Sequence, residues 1–321
     1  MRIKNILISI MMLGLIGYGG LKFYMYYQAK KDIDALLAPA RVIMDVQYDQ
    51  ISSSVFGPVG IKGLRFRFPK LGETITVGEF KLLSRDNIGK MMNGALPSRL
   101  RFRIVDLEYN LSLLEKIQKE AELAAQRRGQ PYPHQRNATP EIIKRLGYQD
   151  VFEKSNDLHA LGYDHVKMDV DFDLQFNPDT HEAHFKMRGK LADMGDLLFD
   201  FSFTDLSSRV ANAVLGVKIK EMKWHYIDDG YIDRLLKLYA DEQNMELEPY
   251  RKLVAAKFEQ DVAAKKIKLS ADSVKSIKRF IENPKSIIVT AYPYRPVGIE
   301  SIKHYKPGDV PMLLNLQARL D

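Results

Sequence analysis

The sequence predicts an α+β protein, with an N-terminal transmembrane helix followed by antiparallel β-meanders and helices packed on the sheet. Three observations predict this. A basic stub, Met1-Arg-Ile-Lys4, runs into an uncharged apolar stretch from Ile6 to Leu21. Two long regions, 42–109 and 166–226, alternate apolar with polar residues at a period of two, the signature of strands buried on one face. Between Tyr231 and Glu282 the apolar spacing changes to the three-to-four repeat of amphipathic helices.

The first segment, 1–31, reads as an uncleaved signal anchor. Ile6, Leu7, Ile10, Leu13, Leu15 and Leu21 supply its apolar surface, and Tyr24 and Tyr27 belong to an aromatic belt at the interface. A helix from Ile6 to Tyr27, rising ~1.5 Å per residue, is long enough for a hydrocarbon core of about 30 Å. Lys22 can snorkel to the interface, and no small-residue cleavage site follows the run. The short tail before the span sets the expected topology. The N-terminus stays in the cytoplasm, the span sits in a bacterial inner membrane, and the body is periplasmic. The chain has no cysteine, which is compatible with that compartment.

Residues 32–129 read as a β-meander plus a helix. Val42, Met44, Val46 and Tyr48 alternate with polar neighbours. Gly57-Pro-Val-Gly60 reads as a turn, and Leu64, Phe66 and Phe68 then face one way while Arg65 and Arg67 face the other. A third strand covers Thr74 to Leu83, and Arg99-Leu-Arg-Phe-Arg-Ile104 repeats the Arg/apolar alternation. Leu111 to Arg128 carries a helical stripe at Leu114, Ile117 and Ala121, stopped by Gly129. Residues 130–160 form a linker with short helices, marked by Pro131, Pro133 and Pro140.

Residues 161–321 read as a C-terminal α+β region. Val166, Met168, Val170, Phe172, Leu174 and Phe176 alternate with Lys, Asp and Gln. Ala183, Phe185 and Met187, and then Phe199, Phe201 and Phe203, continue the pattern across short turns. Val217 to Tyr226 adds a strand whose alternation slips at Glu221. Three helices follow, and then strands at Ser286–Tyr292 and Met312–Leu320.

No catalytic motif is legible. Asp169-Val-Asp-Phe-Asp173 lacks the glycine and glutamate that a calcium loop needs downstream, because Leu174 and Thr180 stand there. His181 and His184 are three apart, not four, and on a strand they point to opposite faces. No phosphate-binding, dinucleotide or nucleophile-elbow motif occurs, so the expectation is a protein without enzymatic activity, cofactor or metal. Residues 1–32 carry +4 of the net charge of +7, and the +3 left to the body is too little for a general nucleic-acid reader. Ten basic residues stand against four acidic ones between Arg251 and Lys285. That makes Lys265, Lys266, Lys268, Lys275, Lys278 and Arg279 a candidate basic contact surface for anionic headgroups or an acidic partner. Phe172, Phe176, Phe185, Phe199, Phe201 and Phe203 form the candidate apolar binding face.

The anchor, followed at once by Val46-Gln-Tyr48, Ser52-Ser-Ser-Val-Phe-Gly-Pro-Val-Gly-Ile61 and Leu64, resembles AsmA-like proteins of the Gram-negative envelope. The resemblance implies an inner-membrane-anchored, β-rich protein with an apolar groove for phospholipid and a role in envelope maintenance. It is clearest over residues 1–110, and the short chain and its helices depart from it. The expected function is a single-pass envelope protein whose exported body binds lipid or a protein partner. The alternative is a structural subunit of a secretion or pilus assembly machine, with envelope proteins as partners.

Overall fold

A computed structural model describes residues 26–321, apart from 28, 32, 35–36, 39, 43, 54–57, 85–94, 128–154 and 209–215. Strands β1 (Asp45–Gln47) and β2 (Gln50–Ser53) both pair with β3 (Val59–Phe68). The sheet continues through β4 (Glu73–Leu82), β5 (Arg99–Asn110), β6 (His165–Asn177), β7 (Glu182–Leu191), β8 (Gly195–Thr204) and β9 (Lys218–Asp228). It ends with β10 (Ser286–Ala291) and β12 (Leu316–Leu320), while the two-residue β11 (Val297–Gly298) borders one end of β9. Every pairing is antiparallel.

One register rule holds this sheet together. Leu82 lies opposite Phe102, Phe102 opposite Phe172, and Phe172 opposite Met187. Met187 then lies opposite Phe199, Phe199 opposite Trp224, and Trp224 opposite Val289. Because side chains alternate faces, these pairings place the apolar residues of β4 through β10 on one side. The chain absorbs misfits with bulges. Between Ile104 and Leu107 the β5 register shifts, and Asp106 adopts a left-handed φ of 53° there. The backbone N–H of Asp106 donates to Asp169 Oδ1 at 2.8 Å. The slip read at Glu221 is a second bulge, with Ser202 opposite Glu221 and Phe203 opposite Ile219.

Helices close parts of the apolar face. The described residues within 26–41 form α1, and Ala29, Ile33 and Leu37, one turn apart, pack on Val59, Ile61, Leu64 and Val77. At the other end, α7 (Ile299–Ile302) and α8 (Val310–Leu313) bring Ile302 and Val310 against Ile219 and Ala291. Helix α2 is Ser112–Arg127 and α3 is Ser155–Ala160. Helices α4 (Tyr231–Glu242) and α5 (Leu247–Ala264) form a small core of their own around Leu236, Ala240 and Tyr250. Helix α6 (Ala271–Glu282) lies along β12.

This architecture corrects the sequence reading in several places. The expected N-terminal transmembrane helix is not supported: among the described residues no helix is long and apolar enough to cross a membrane. Of the anchor set, Ile6, Leu7, Ile10, Leu13, Leu15, Leu21 and Tyr24 lie outside the described residues. Tyr27 is on α1, where Lys30, Lys31 and Asp34 break the apolar run and the stripe of Ala29, Ile33 and Leu37 faces the sheet. The inner-membrane localisation, the signal anchor and the periplasmic body rested on that span and fall with it. The two meanders are one sheet, because β5 pairs with β6 from Arg99↔Gln175 to Asn110↔His165. Ile117 is exposed on α2, whereas Leu111, just before the helix, and Leu113 are buried. Val59 and Gly60, read as turn, already belong to β3. The last strand begins at Leu316 because Pro311 and its neighbours turn helical first.

Candidate functional site

The middle of the apolar face carries a ladder of rings. Phe102 stacks on Phe172 at 4.5 Å between centroids, and Phe172 meets Phe185 edge-on at 5.1 Å. Phe185 lies 5.9 Å from Phe201, Phe201 lies 5.6 Å from Phe199, and Phe199 stacks on Trp224 at 6.4 Å. These separations fall within the range of favourable aromatic pairs. The ladder runs from β5 to β9, roughly 19 Å at about 4.8 Å per strand.

The ladder is neither core nor open surface. Phe102, Phe172, Phe185, Phe199 and Phe201 are half-buried, and Trp224 is 41% exposed. One of the six phenylalanines read from the sequence is spent on packing. Phe176 is 4% exposed, whereas Phe203 is half-buried, borders the cluster of Ile219 and Ala291, and meets Phe201 edge-on at 6.1 Å. The structure therefore brings together Phe172, Phe185, Phe199, Phe201 and Phe203 in one run of rings. It adds Phe102 and Trp224, which the sequence reading did not single out. The Arg/apolar alternation of Arg99–Ile104 already placed Phe102 on an apolar face. The signal for Trp224 was its position in Val217–Tyr226, before the bulge is crossed.

The opposite face is ionic, and its charges alternate from strand to strand. Arg101, Asp173, Lys186, Asp200 and Lys223 stand opposite one another in succession across β5 to β9. Arg103 pairs with Asp171, Arg188 with Asp196, and Lys186 with Asp200 at 3.4 Å. The hydrogen bond and charge of Asp171 hold the Arg103 guanidinium above its usual pKa, and Asp196 does the same for Arg188. The three aspartates that look like a calcium loop are thus rungs of this ladder or partners to its bulge. A shallow depression of about 410 Å³ lies over this face, between Arg101 and His225. Exposed cross-strand pairs of this kind add only about 0.2–1 kcal/mol each, so they serve register and solubility more than stability.

The histidines serve local structure. His181 Nδ1 faces the Leu206 carbonyl at 3.0 Å, and His184 faces Ser202 Oγ at 3.0 Å and Asp200 at 3.1 Å. Among the described residues no group of three or more His, Asp or Glu side chains is arranged to hold a metal ion.

The basic residues of α5 and α6 line a separate groove of about 780 Å³. Lys278 reaches across it to Glu259, Lys268 pairs with Asp309 at 2.7 Å, and Lys265 lies 3.8 Å from Asp261. Lys266, Lys275 and Arg279 make no ion pair among the described residues.

Comparison with known proteins adds one match. A protein-family model whose description reads uncharacterized protein matches residues 181–320, which span β7 to β12 and the helices α4 to α8. No curated protein matches the chain.

Proposed function

We propose that this chain is a non-enzymatic carrier or holder of an acyl chain, bound along the ring ladder from Phe102 to Trp224. The observation that carries the reading is partial cover. Helix α1 packs on the β3–β5 end of the apolar face and α7–α8 on the β9–β10 end, while the rings between them are half-buried. Leaving an aromatic ring in water forgoes about 1.5–3 kcal/mol relative to full burial, so an apolar occupant gains by completing that burial. The ladder's length of roughly 19 Å exceeds the ~15 Å of one leaflet of hydrocarbon, so it accommodates most of an extended acyl chain. The phospholipid role implied by the resemblance to AsmA-like proteins agrees with this chemistry. A protein partner seated on the same rings is the competing occupant.

Trp224 is the only tryptophan of the chain and stands at the end of the ladder, so it reports occupancy directly. Titration of the full chain with a fatty acid brominated along its tail should quench Trp224 emission in a saturable way. The same fatty acid without bromine should shift the emission to the blue. Unchanged emission, together with a lipid-free mass in native mass spectrometry and a stoichiometric protein partner on affinity purification, would replace the acyl reading with the partner one.

A further inference from the structure

We propose that the groove between α5 and α6 is a second, separate binding site, for a single-tailed amphiphile with a phosphate head. The site shares no element with the ring ladder and does not depend on it.

The groove has the size and the two-part lining that such a ligand needs. Its volume of about 780 Å³ lies within the ~300–1,000 Å³ of ordinary ligand sites. Val262 and Ala263 of α5 and Ala271 and Val274 of α6 provide an apolar surface, and the lining also includes Ile267 of the connecting loop, which is buried. At this end of α5 Val262 is half-buried and Ala263 exposed, so they are not consumed by the core.

The cations separate into framework and free groups. The Lys278–Glu259 pair clasps α6 to α5 across the groove, and Lys268–Asp309 ties the hairpin loop to the C-terminal segment. The loop is held further by the Lys268 N–H donating to the Gly308 carbonyl at 2.8 Å. Lys266, Lys275 and Arg279 remain lining the groove without a carboxylate partner among the described residues. Lys275 and Arg279 are four apart on α6, so their side chains are neighbours. Two or three converging cations suit the near-dianionic charge of a phosphate monoester better than a single carboxylate. The arginine fork matches two phosphate oxygens at once. The apolar lining gives a bare phosphate nothing to bury, so a tail is part of the ligand.

The probe is lysophosphatidate, titrated calorimetrically into the full chain below its micelle concentration. Lysophosphatidylcholine and inorganic phosphate are the comparators. Lysophosphatidate should bind at least about tenfold more tightly than either, and the double variant Lys275→Gln/Arg279→Gln should weaken it by about tenfold or more. Both positions are exposed, and the charge-keeping pair Lys275→Arg/Arg279→Lys should restore most of the affinity. The acyl tail of the probe also suits the ring ladder, so the titrations are repeated in Trp224→Ala, where lysophosphatidate should still bind about tenfold or more tightly than either comparator. Equal affinity for the choline head in the W224A background would overturn the proposal, as would equal affinity for bare phosphate. So would affinity that survives K275Q/R279Q in the W224A background, or no lysophosphatidate binding at all in W224A, which would put the ligand on the sheet. Failure of the acyl titration at Trp224 with lysophosphatidate binding intact would sink only the ring-ladder reading.

Discussion

The hydroxyl of Ser273, on α6, accepts a hydrogen bond from the backbone N–H of Ala318 at 2.9 Å. Ala318 sits opposite Val289 in β12, the last strand of the sheet's main path, where that N–H faces away from β10. An unpaired strand edge is a template for aggregation, and here a helix covers it. Ser273 is 1% exposed, and its own N–H donates to the capping Ser270 hydroxyl at 3.1 Å. One buried side chain thus joins the start of a helix to the edge of the sheet.

Ser273→Ala should cost about 1–3 kcal/mol, because the Ala318 N–H is left buried without an acceptor. Ser270→Ala removes the helix cap instead and should cost about 0.5–2 kcal/mol. Urea denaturation measures both. Only the Ser273 variant should also aggregate faster near its unfolding midpoint, since it alone loosens the edge.

Gly195→Ala should be more damaging than either. Gly195 opens β8 at a φ of 128°, a region L side chains rarely adopt, and an added Cβ would collide with the Ile227 carbonyl of β9. The tyrosine ring of Tyr226 is 3.1 Å from the same point, so the strand has no room to relax. A loss of more than about 2 kcal/mol follows from combined backbone strain and overpacking. A midpoint unchanged in urea would show that β8 starts elsewhere in solution.

Much of the sheet was legible because period-two alternation is a local property. Val166 to Phe176 carries its own face assignment, and the slip at Glu221 marks its own bulge. Pairing between distant segments has no such local trace. Nothing in Arg99–Asn110 announces that it lies beside His165–Gln175, so two meanders were read where one sheet exists. The ring ladder was only partly legible for the same reason. Alternation groups Phe172 with Phe176 on one strand, yet what matters is that Phe172 meets Phe102 and Phe185 on its neighbours while Phe176 is packed away. The anchor reading failed at its boundary. It extended the apolar run through Tyr27, whereas the next residues repeat at Ala29, Ile33 and Leu37 as the stripe of a helix docked on the sheet.

Acid should weaken the hold of α2 on the sheet. Glu73, at the start of β4, accepts hydrogen bonds from Lys116 and from Ser112 Oγ, the latter at 2.7 Å. The Lys116 bond is the larger cause and the Ser112 bond the next, and together they hold the carboxyl below its ordinary value of 4.5. A depressed folded-state pKa stabilises the protein above the unfolded-state value, and that contribution is lost as pH falls through the folded one. Wild type should therefore lose stability relative to Glu73→Gln as the pH is lowered below about 4.5, with a constant gap between the two above pH 6. Parallel curves down to pH 3 would mean that the carboxylate makes neither bond in solution.

The comparison of Phe172→Ala with Trp224→Ala decides whether the ring ladder is packing or surface. Phe172 touches rings on both neighbouring strands, at 4.5 and 5.1 Å, and is half-buried. Its loss removes two ring contacts and opens a gap in the middle of the sheet face, at a cost of about 2–3 kcal/mol, just below the ~3–5 kcal/mol of a fully buried phenylalanine because Phe172 is only half-buried. Trp224 stacks on one ring only and is 41% exposed, so its truncation should cost under about 1 kcal/mol. Acyl binding should show the reverse economy. Trp224→Ala, followed by native mass spectrometry since its fluorescence is gone, should lose bound fatty acid despite a near-normal melting curve. A Trp224 variant that melts as early as the Phe172 variant would mean that the whole ladder is core. A stable Trp224 variant that keeps its fatty acid would move the acyl site off the sheet.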